Sequence, residues 1–189
     1  MAAEDLRMAD LTGRMIGALQ ADVKTLTEIE ADPNAMGQAV TVIVVAGVAS
    51  LIGNFFRVGL TGGVVSLIAS LVGYALFSLL VFLIGTKAMP EPATKADFNE
   101  TFRTVAFAAS PGVFNVLAII PFIGALVPLV TGIWSLVIGV IAVREVLDYS
   151  NTGRAIIVCI VAAVICWIAV AILLLPLFGA AFLAGAAGR

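Results

Sequence analysis

The sequence predicts an all-α polytopic membrane protein: a five-span transmembrane helix bundle preceded by an N-terminal amphipathic helix. Three observations predict it. Hydrophobic side chains make up 62% of the 189 residues and charged ones only 12%, against about 25% charged in a soluble domain. Mean hydropathy is +1.17. The charged residues are confined to short segments, and the apolar runs between them approach the roughly 20 residues that cross about 30 Å of hydrocarbon.

Residues 1–33 form the N-terminal unit. Leu11, Met15, Leu19, Val23 and Leu26 recur every three or four positions, with Asp10, Arg14, Asp22 and Lys24 elsewhere on the wheel; this spacing predicts one amphipathic helix. Helices that lie on membranes carry Lys and Arg on their polar face. This one carries Asp10, Asp22, Glu28 and Glu30, so it is expected to pack on protein, first of all on its own spans. Asp32 and Pro33 end it.

The membrane domain is expected over 34–189. Its first span covers 36–56, with Gly62 and Gly63 closing a short turn into the second, 64–84. Lys87 to Glu100 is the longest polar connection. The third span, 101–120, contains Ser110, Pro111 and Gly112, and a proline inside a helix removes a hydrogen bond and kinks or breaks it. Pro121 and Gly124 turn the chain tightly into the fourth span, 122–143, where Gly132 and Gly139 share a face suited to close helix contact. Arg144, Glu145, Asp148 and Arg154 mark the next connection, and the fifth span covers 155–175. The apolar tail beyond Pro176 fits either a tilted helix or an interfacial segment.

Cytoplasmic loops retain Lys and Arg. With the N-terminus inside, the inner segments hold Arg7, Arg14, Lys24, Lys87, Lys95, Arg103, Arg144 and Arg154, against Arg57 and Arg189 outside. The expected topology is a cytoplasmic N-terminus and an external C-terminus. Met1 to Arg14 lacks an apolar stretch with a small-residue cleavage site, and position two is not Gly, so neither a cleaved leader nor myristoylation is expected.

Several chemistries are disfavoured. The net charge is −2 and the bases are scattered, which argues against nucleic acid. There is no histidine, and Cys159 and Cys166 lie about 10 Å apart along one helix, so no disulfide, metal centre or cofactor is expected. The spans carry no ionisable residue at depth, unlike proton-coupled carriers. No Ser–His–acid set exists, nor a glycine loop followed by the phosphate-binding lysine. The polar groups left at depth are Ser50, Asn54, Ser66, Ser70, Tyr74, Ser78, Ser110, Asn115, Thr131 and Ser135. Most are expected to bond to their own backbone or a neighbouring helix; the sharper alternative is that Ser110 and Asn115, with Pro111 at the helix break, line a small polar cavity, because irregular backbone at depth must face protein or water.

Between Phe98 and Ala155 the order of short elements is distinctive. Phe98 precedes Phe102-Arg103 and Ala108-Ala109-Ser110-Pro111; then come Ile120-Pro121 with Ile123-Gly124, Ile133-Trp134, Ser150 and Arg154-Ala155. This pattern resembles the Yip family, membrane proteins named for interacting with Rab-type small GTPases, in its bacterial form. The resemblance implies five spans with the termini on opposite sides, in agreement with the charge argument. Eukaryotic members are associated with vesicle budding and organelle shape, but the N-terminal segment here is short, so GTPase binding is not carried over.

The expected function is therefore that of a non-catalytic scaffold, organiser or accessory subunit in a bacterial inner membrane. Its partners are membrane lipids and a protein or a second copy of itself, held by the acidic N-terminal helix and the Lys87 to Glu100 loop, with a candidate cytoplasmic docking patch of Glu100, Arg103, Arg144, Glu145, Asp148 and Arg154. The alternative is a carrier for a neutral or lipidic solute at the proline-broken third and fourth spans. The candidate structural or solute-contact residues there are Ser110, Pro111, Asn115, Pro121, Gly124 and Trp134.

Overall fold

The structure, a computed structural model, describes residues 10–187, with side chains through 173. Expectations that fall on residues 1–9 and on Arg189 lie outside the described residues.

The N-terminal unit is two helices where the apolar stripe predicts one. Helix α1 (Leu11–Leu19) and α2 (Val23–Ala31) are separated by Gln20, Ala21 and Asp22. Ala21 has φ 53°, a left-handed turn conformation costly for a residue with a Cβ. Asp22 then starts α2 by accepting from the Thr25 amide at 3.1 Å and the Thr25 hydroxyl at 2.6 Å, a strong N-cap. The break turns Val23 outward and buries Arg14, which the helical wheel assigns to the polar face.

Among the described residues, four helices are long and apolar enough to cross a membrane: Ala35–Ala88, Phe98–Ile119, Leu126–Val146 and Thr152–Leu173. The first contains α3 (Ala35–Leu83) and ends in a π-helical turn, Ile84–Ala88. Its 54 residues would extend about 81 Å if straight, far more than one bilayer. It reverses at Gly59, whose φ 64°, ψ −177° lies in a region open essentially to glycine alone. The two arms then pack on each other. A Cβ added at Gly63 would lie 2.6 Å from Leu51 Cγ, and one at Gly47 would meet Leu67. The turn thus falls at Gly59, and Gly62 and Gly63, expected to close it, are helical.

Helix α4 (Phe98–Ala106) opens with a capping box: the Glu100 amide donates to Asp97 Oδ1 at 2.9 Å and the Asp97 amide to Glu100 Oε2 at 3.0 Å. The chain then tightens into a 3₁₀ helix, Phe107–Ile119. The expected proline break takes this form. Pro111 has no N–H to offer the Phe107 carbonyl four residues back, and the buried Ser110 hydroxyl donates to that carbonyl instead, at 2.7 Å.

The tight turn at Pro121 places Phe122 at φ 74°, fully exposed. Helix α5 (Leu126–Val146) and α6 (Thr152–Ala187) complete the bundle, so the tail continues α6 as helix. Side chains such as Trp167, Leu136 and Phe56 stand exposed along the apolar helices, an outer surface suited to lipid and not to water. The protein is an integral membrane protein built from helices.

The core has two parts. One joins α1 and α2 to α3 and the 3₁₀ segment through Ala18, Leu26, Ile29, Ala39, Val42 and Phe107. The other joins the far end of α3 to α5 and α6 through Val81, Val105, Val146, Leu147 and Val158.

Candidate functional site

Most of the hydroxyls and amides that the sequence leaves at depth converge. Ser50, Ser66, Ser70, Asn115, Thr131 and Ser135 line one cavity of about 360 Å³, together with Tyr74 and the bare backbone at Gly47, Gly112 and Gly132. Both arms of α3, the 3₁₀ segment and α5 each supply a wall. A hydrogen-bonded chain crosses it. Thr131 donates to Asn115 Oδ1 at 2.6 Å, Asn115 Nδ2 to Ser50 Oγ at 2.9 Å, and Ser50 to the Ala46 carbonyl at 2.9 Å. Ser66 and Ser70 bond to carbonyls of their own helix. Tyr74 and Ser135 have no hydrogen bond to protein among the described residues.

Two glycines fix this geometry. A Cβ added at Gly53 would collide with the Asn115 carbonyl and lie 3.1 Å from Ala118 Cβ; one at Gly112 would lie 2.8 Å from Ala46 Cβ. Gly53 does not stand out in the sequence, because no turn or motif surrounds it, and Gly112 is marked there only as part of the proline break; only the packed pair of helices shows the close approach.

Beside the cavity runs a larger groove of about 650 Å³ between α3, α5 and α6, walled by Phe77, Val105, Leu136, Ile160, Val164 and Trp167. Its lining is almost wholly apolar.

The expected contact residues separate. Asn115 lines the polar cavity, whereas Ser110 and Pro111 are buried and do not line it, shaping instead the segment that carries Asn115. Gly124 is buried at the opposite turn, where its carbonyl accepts from Arg57 at 3.5 Å, and Pro121 is exposed there. Trp134 points away from the cavity, and its indole N–H donates to the Leu19 carbonyl at 2.8 Å. Gly132 opens onto the cavity with nothing close to it, and Gly139 faces Ala108 Cβ at 3.9 Å, so of the two only Gly139 approaches a neighbour.

The six charged residues expected to form one patch fall into two groups. Arg103 is buried, donates to the Ile29 carbonyl at 3.0 Å and to the Glu30 carbonyl, and lies 3.9 Å from Glu100. It thereby caps the last turn of α2, where a cation complements the helix dipole. Burial and the charges of Asp148, Glu100 and Glu145, only partly offset by Arg103, push the Glu30 carboxyl up to about 7. Arg154 belongs to the second group, 3.6 Å from Glu91 and 3.1 Å from the Pro90 carbonyl. There the Ser150 amide donates to Glu91, Thr94 to the Leu147 carbonyl, and Tyr149 to the Met89 carbonyl. Arg144 turns back onto the Tyr149 carbonyl at 3.3 Å. The two connections at this end are thus bound to each other.

A third ionic cluster was not singled out by the sequence. Buried Arg14 lies 2.7 Å from both Glu28 and Asp32 and donates to Gln38 at 2.8 Å, tying α1, the end of α2 and the start of α3 together. The partners lie on other helices or their ends, 14, 18 and 24 positions on, beyond the three- and four-residue spacing at which side chains of one helix meet, so only the fold could reveal it. Among the described residues, no group of three His, Cys, Asp or Glu side chains is placed to hold a metal ion.

Comparison with curated proteins and with solved structures gave no match. A family model, the Yip1 domain, matches residues 16–173. That stretch contains both cavities, the 3₁₀ segment and all the helices from the middle of α1 to the body of α6, and the chain therefore belongs to the Yip1 domain family.

Proposed function

We propose that this Yip1-domain protein is a non-catalytic membrane organiser or accessory subunit that acts by holding lipid or protein. The observation that carries this reading is the use made of its cations. Arg14, Arg103 and Arg154 each bind carboxylates or carbonyls of the chain itself, so they join segments and are not presented to a reactant. Of the cytoplasmic patch Asp148 is exposed, and Glu100, Arg144, Glu145 and Arg154 are half-buried around it, a small surface of mixed charge, net acidic, for a partner.

The proposed topology counts the two arms of α3 as separate spans, giving five. It puts the N-terminus in the cytoplasm of a bacterial inner membrane and the C-terminus outside. Lys87, Lys95, Arg103, Arg144 and Arg154 flank the spans on one side, against Arg57 beside Gly124 at the other.

A second reading, a carrier for a neutral or lipidic solute, is favoured by the hydroxyl-lined cavity beside the 3₁₀ segment. Chemical cross-linking in native membranes, followed by purification in mild detergent, tests the first. A discrete assembly with a second copy or a partner is expected; a monomer carrying neither partner nor lipid overturns it.

A further inference from the structure

The polar cavity and the apolar groove are not separate. Ser70, Tyr74 and Ser135 line both, so a ligand that enters the groove from the lipid side meets a hydroxyl-bearing wall at its inner end. At that junction Tyr74 and Ser135 have no hydrogen bond to protein among the described residues. Such hydroxyls in an apolar setting gain from a ligand that bonds them.

The lining also selects by charge. Among the described residues, neither cavity has a Lys, Arg, Asp or Glu in its wall. A phosphate or carboxylate there would be a buried charge without a partner, which costs several kcal/mol, whereas an uncharged hydroxyl-bearing head can both donate to Asn115 and accept from serine. The volumes, about 360 and 650 Å³, lie within the 300–1,000 Å³ typical of ligand sites.

We infer that the joined cavities bind a neutral amphiphile of the monoacylglycerol type, its glycerol hydroxyls among Asn115, Ser70, Tyr74 and Ser135 and its hydrocarbon chain along Phe77, Val140 and Val164. This deepens the reading that the chain works through lipid contacts, and it names the lipid class.

The probe is a monoacylglycerol with a photoreactive diazirine in its chain, added to the full-length protein in nanodiscs. Labelling is expected on the second arm of α3, on α5 and on α6. Unlabelled monoolein should compete, and lysophosphatidic acid with the same chain should not. Tyr74→Phe and Ser135→Ala should each weaken competition about fivefold, the loss of one hydrogen bond, with thermal stability unchanged. Ala163→Phe, which fills the groove, should abolish site labelling while leaving the elution profile of a folded protein. Equal competition by the phosphate-bearing lipid overturns the proposal, as does non-saturable labelling or labelling insensitive to all three variants. None of these outcomes bears on the cross-linked assembly, so failure here is separable from failure of the organiser reading.

Discussion

Trp134 donates its indole N–H to the backbone carbonyl of Leu19, 2.8 Å away and 115 positions earlier in the chain. Trp134 precedes Val146 by 12 residues, so the bond holds the α1–α2 turn alongside α5 about 18 Å from that helix's charged end. The N-terminal hairpin therefore runs beside the bundle and does not lie flat across its mouth. Trp134→Phe keeps an aromatic ring but removes the donor. Faster amide exchange across 11–22 is expected, by about the fivefold that one neutral hydrogen bond of about 1 kcal/mol supports, with α6 unaffected. Unaltered exchange at 11–22 would show that the bond does not hold the hairpin.

Arg14 is the hairpin's other anchor. Its guanidinium meets Glu28, Asp32 and Gln38 at once, a set that suits a planar fork and not a point charge. Arg14→Leu is expected to destabilise hairpin docking by about 2 kcal/mol, since Glu28 and Asp32 remain partly solvated and do not incur the full cost of a buried charge. Arg14→Lys should recover less than half of the loss. Limited proteolysis within residues 20–33 gives the measure, and equal resistance of all three proteins would refute it.

Glu30 makes docking depend on pH. Its carboxyl is pushed from 4.5 to about 7 in the docked hairpin, by burial first and then by Asp148, Glu100 and Glu145, against Arg103. The docked state binds the proton more tightly, so stability is greatest below the undocked value and is lost as pH rises through about 7. Hydrogen exchange, corrected for its intrinsic pH dependence, should show firmer protection of α2 at about pH 5 than at about pH 8. Glu30→Gln, neutral throughout, should remove the difference and keep the firmer value at the higher pH. A pH difference surviving in the variant would assign it to another group.

What the sequence reveals depends on whether a signal is local. Hydropathy and charge place the start of each long apolar helix to within a few residues, since each rests on the chemistry of its own segment, although α6 runs on to Ala187, past the expected end at 175. The proline break is also legible, because Pro111 acts on its own backbone, although its form, a 3₁₀ run secured by Ser110 on Phe107, is not. The turn at Gly59 is less legible: Gly59, Gly62 and Gly63 are all permitted turn residues, and only the register of Leu51 against Gly63 decides. The residues that define the cavity are visible one at a time as polar groups at depth. Their convergence depends on which faces of four helical segments meet, which no single-helix period encodes. The bond from Trp134 to Leu19 is illegible for the same reason, because its partner is a backbone carbonyl with no sequence signature.

The cavity's shape depends on the close approach of Gly53 to the 3₁₀ segment, and this can be separated from ordinary helix propensity. A methyl at Gly53 would overlap the Asn115 carbonyl, a backbone atom that cannot turn aside as a flexible side chain can. Gly37, on the same helix, has nothing within 4 Å. In an unconstrained helix, alanine is favoured over glycine by about 1 kcal/mol, whereas overpacking against backbone costs about 1 to 3 kcal/mol. Gly53→Ala should therefore lower the thermal unfolding midpoint in detergent while Gly37→Ala leaves it unchanged or raises it. If the collision displaces the 3₁₀ segment, the bonds from Thr131 to Asn115 and from Asn115 to Ser50 lengthen with it. Gly53→Ala should then also weaken monoolein competition, although Gly53 itself lines neither cavity. If both variants melted alike, the 3₁₀ segment would have room to move, and the cavity would owe its shape to something other than this contact.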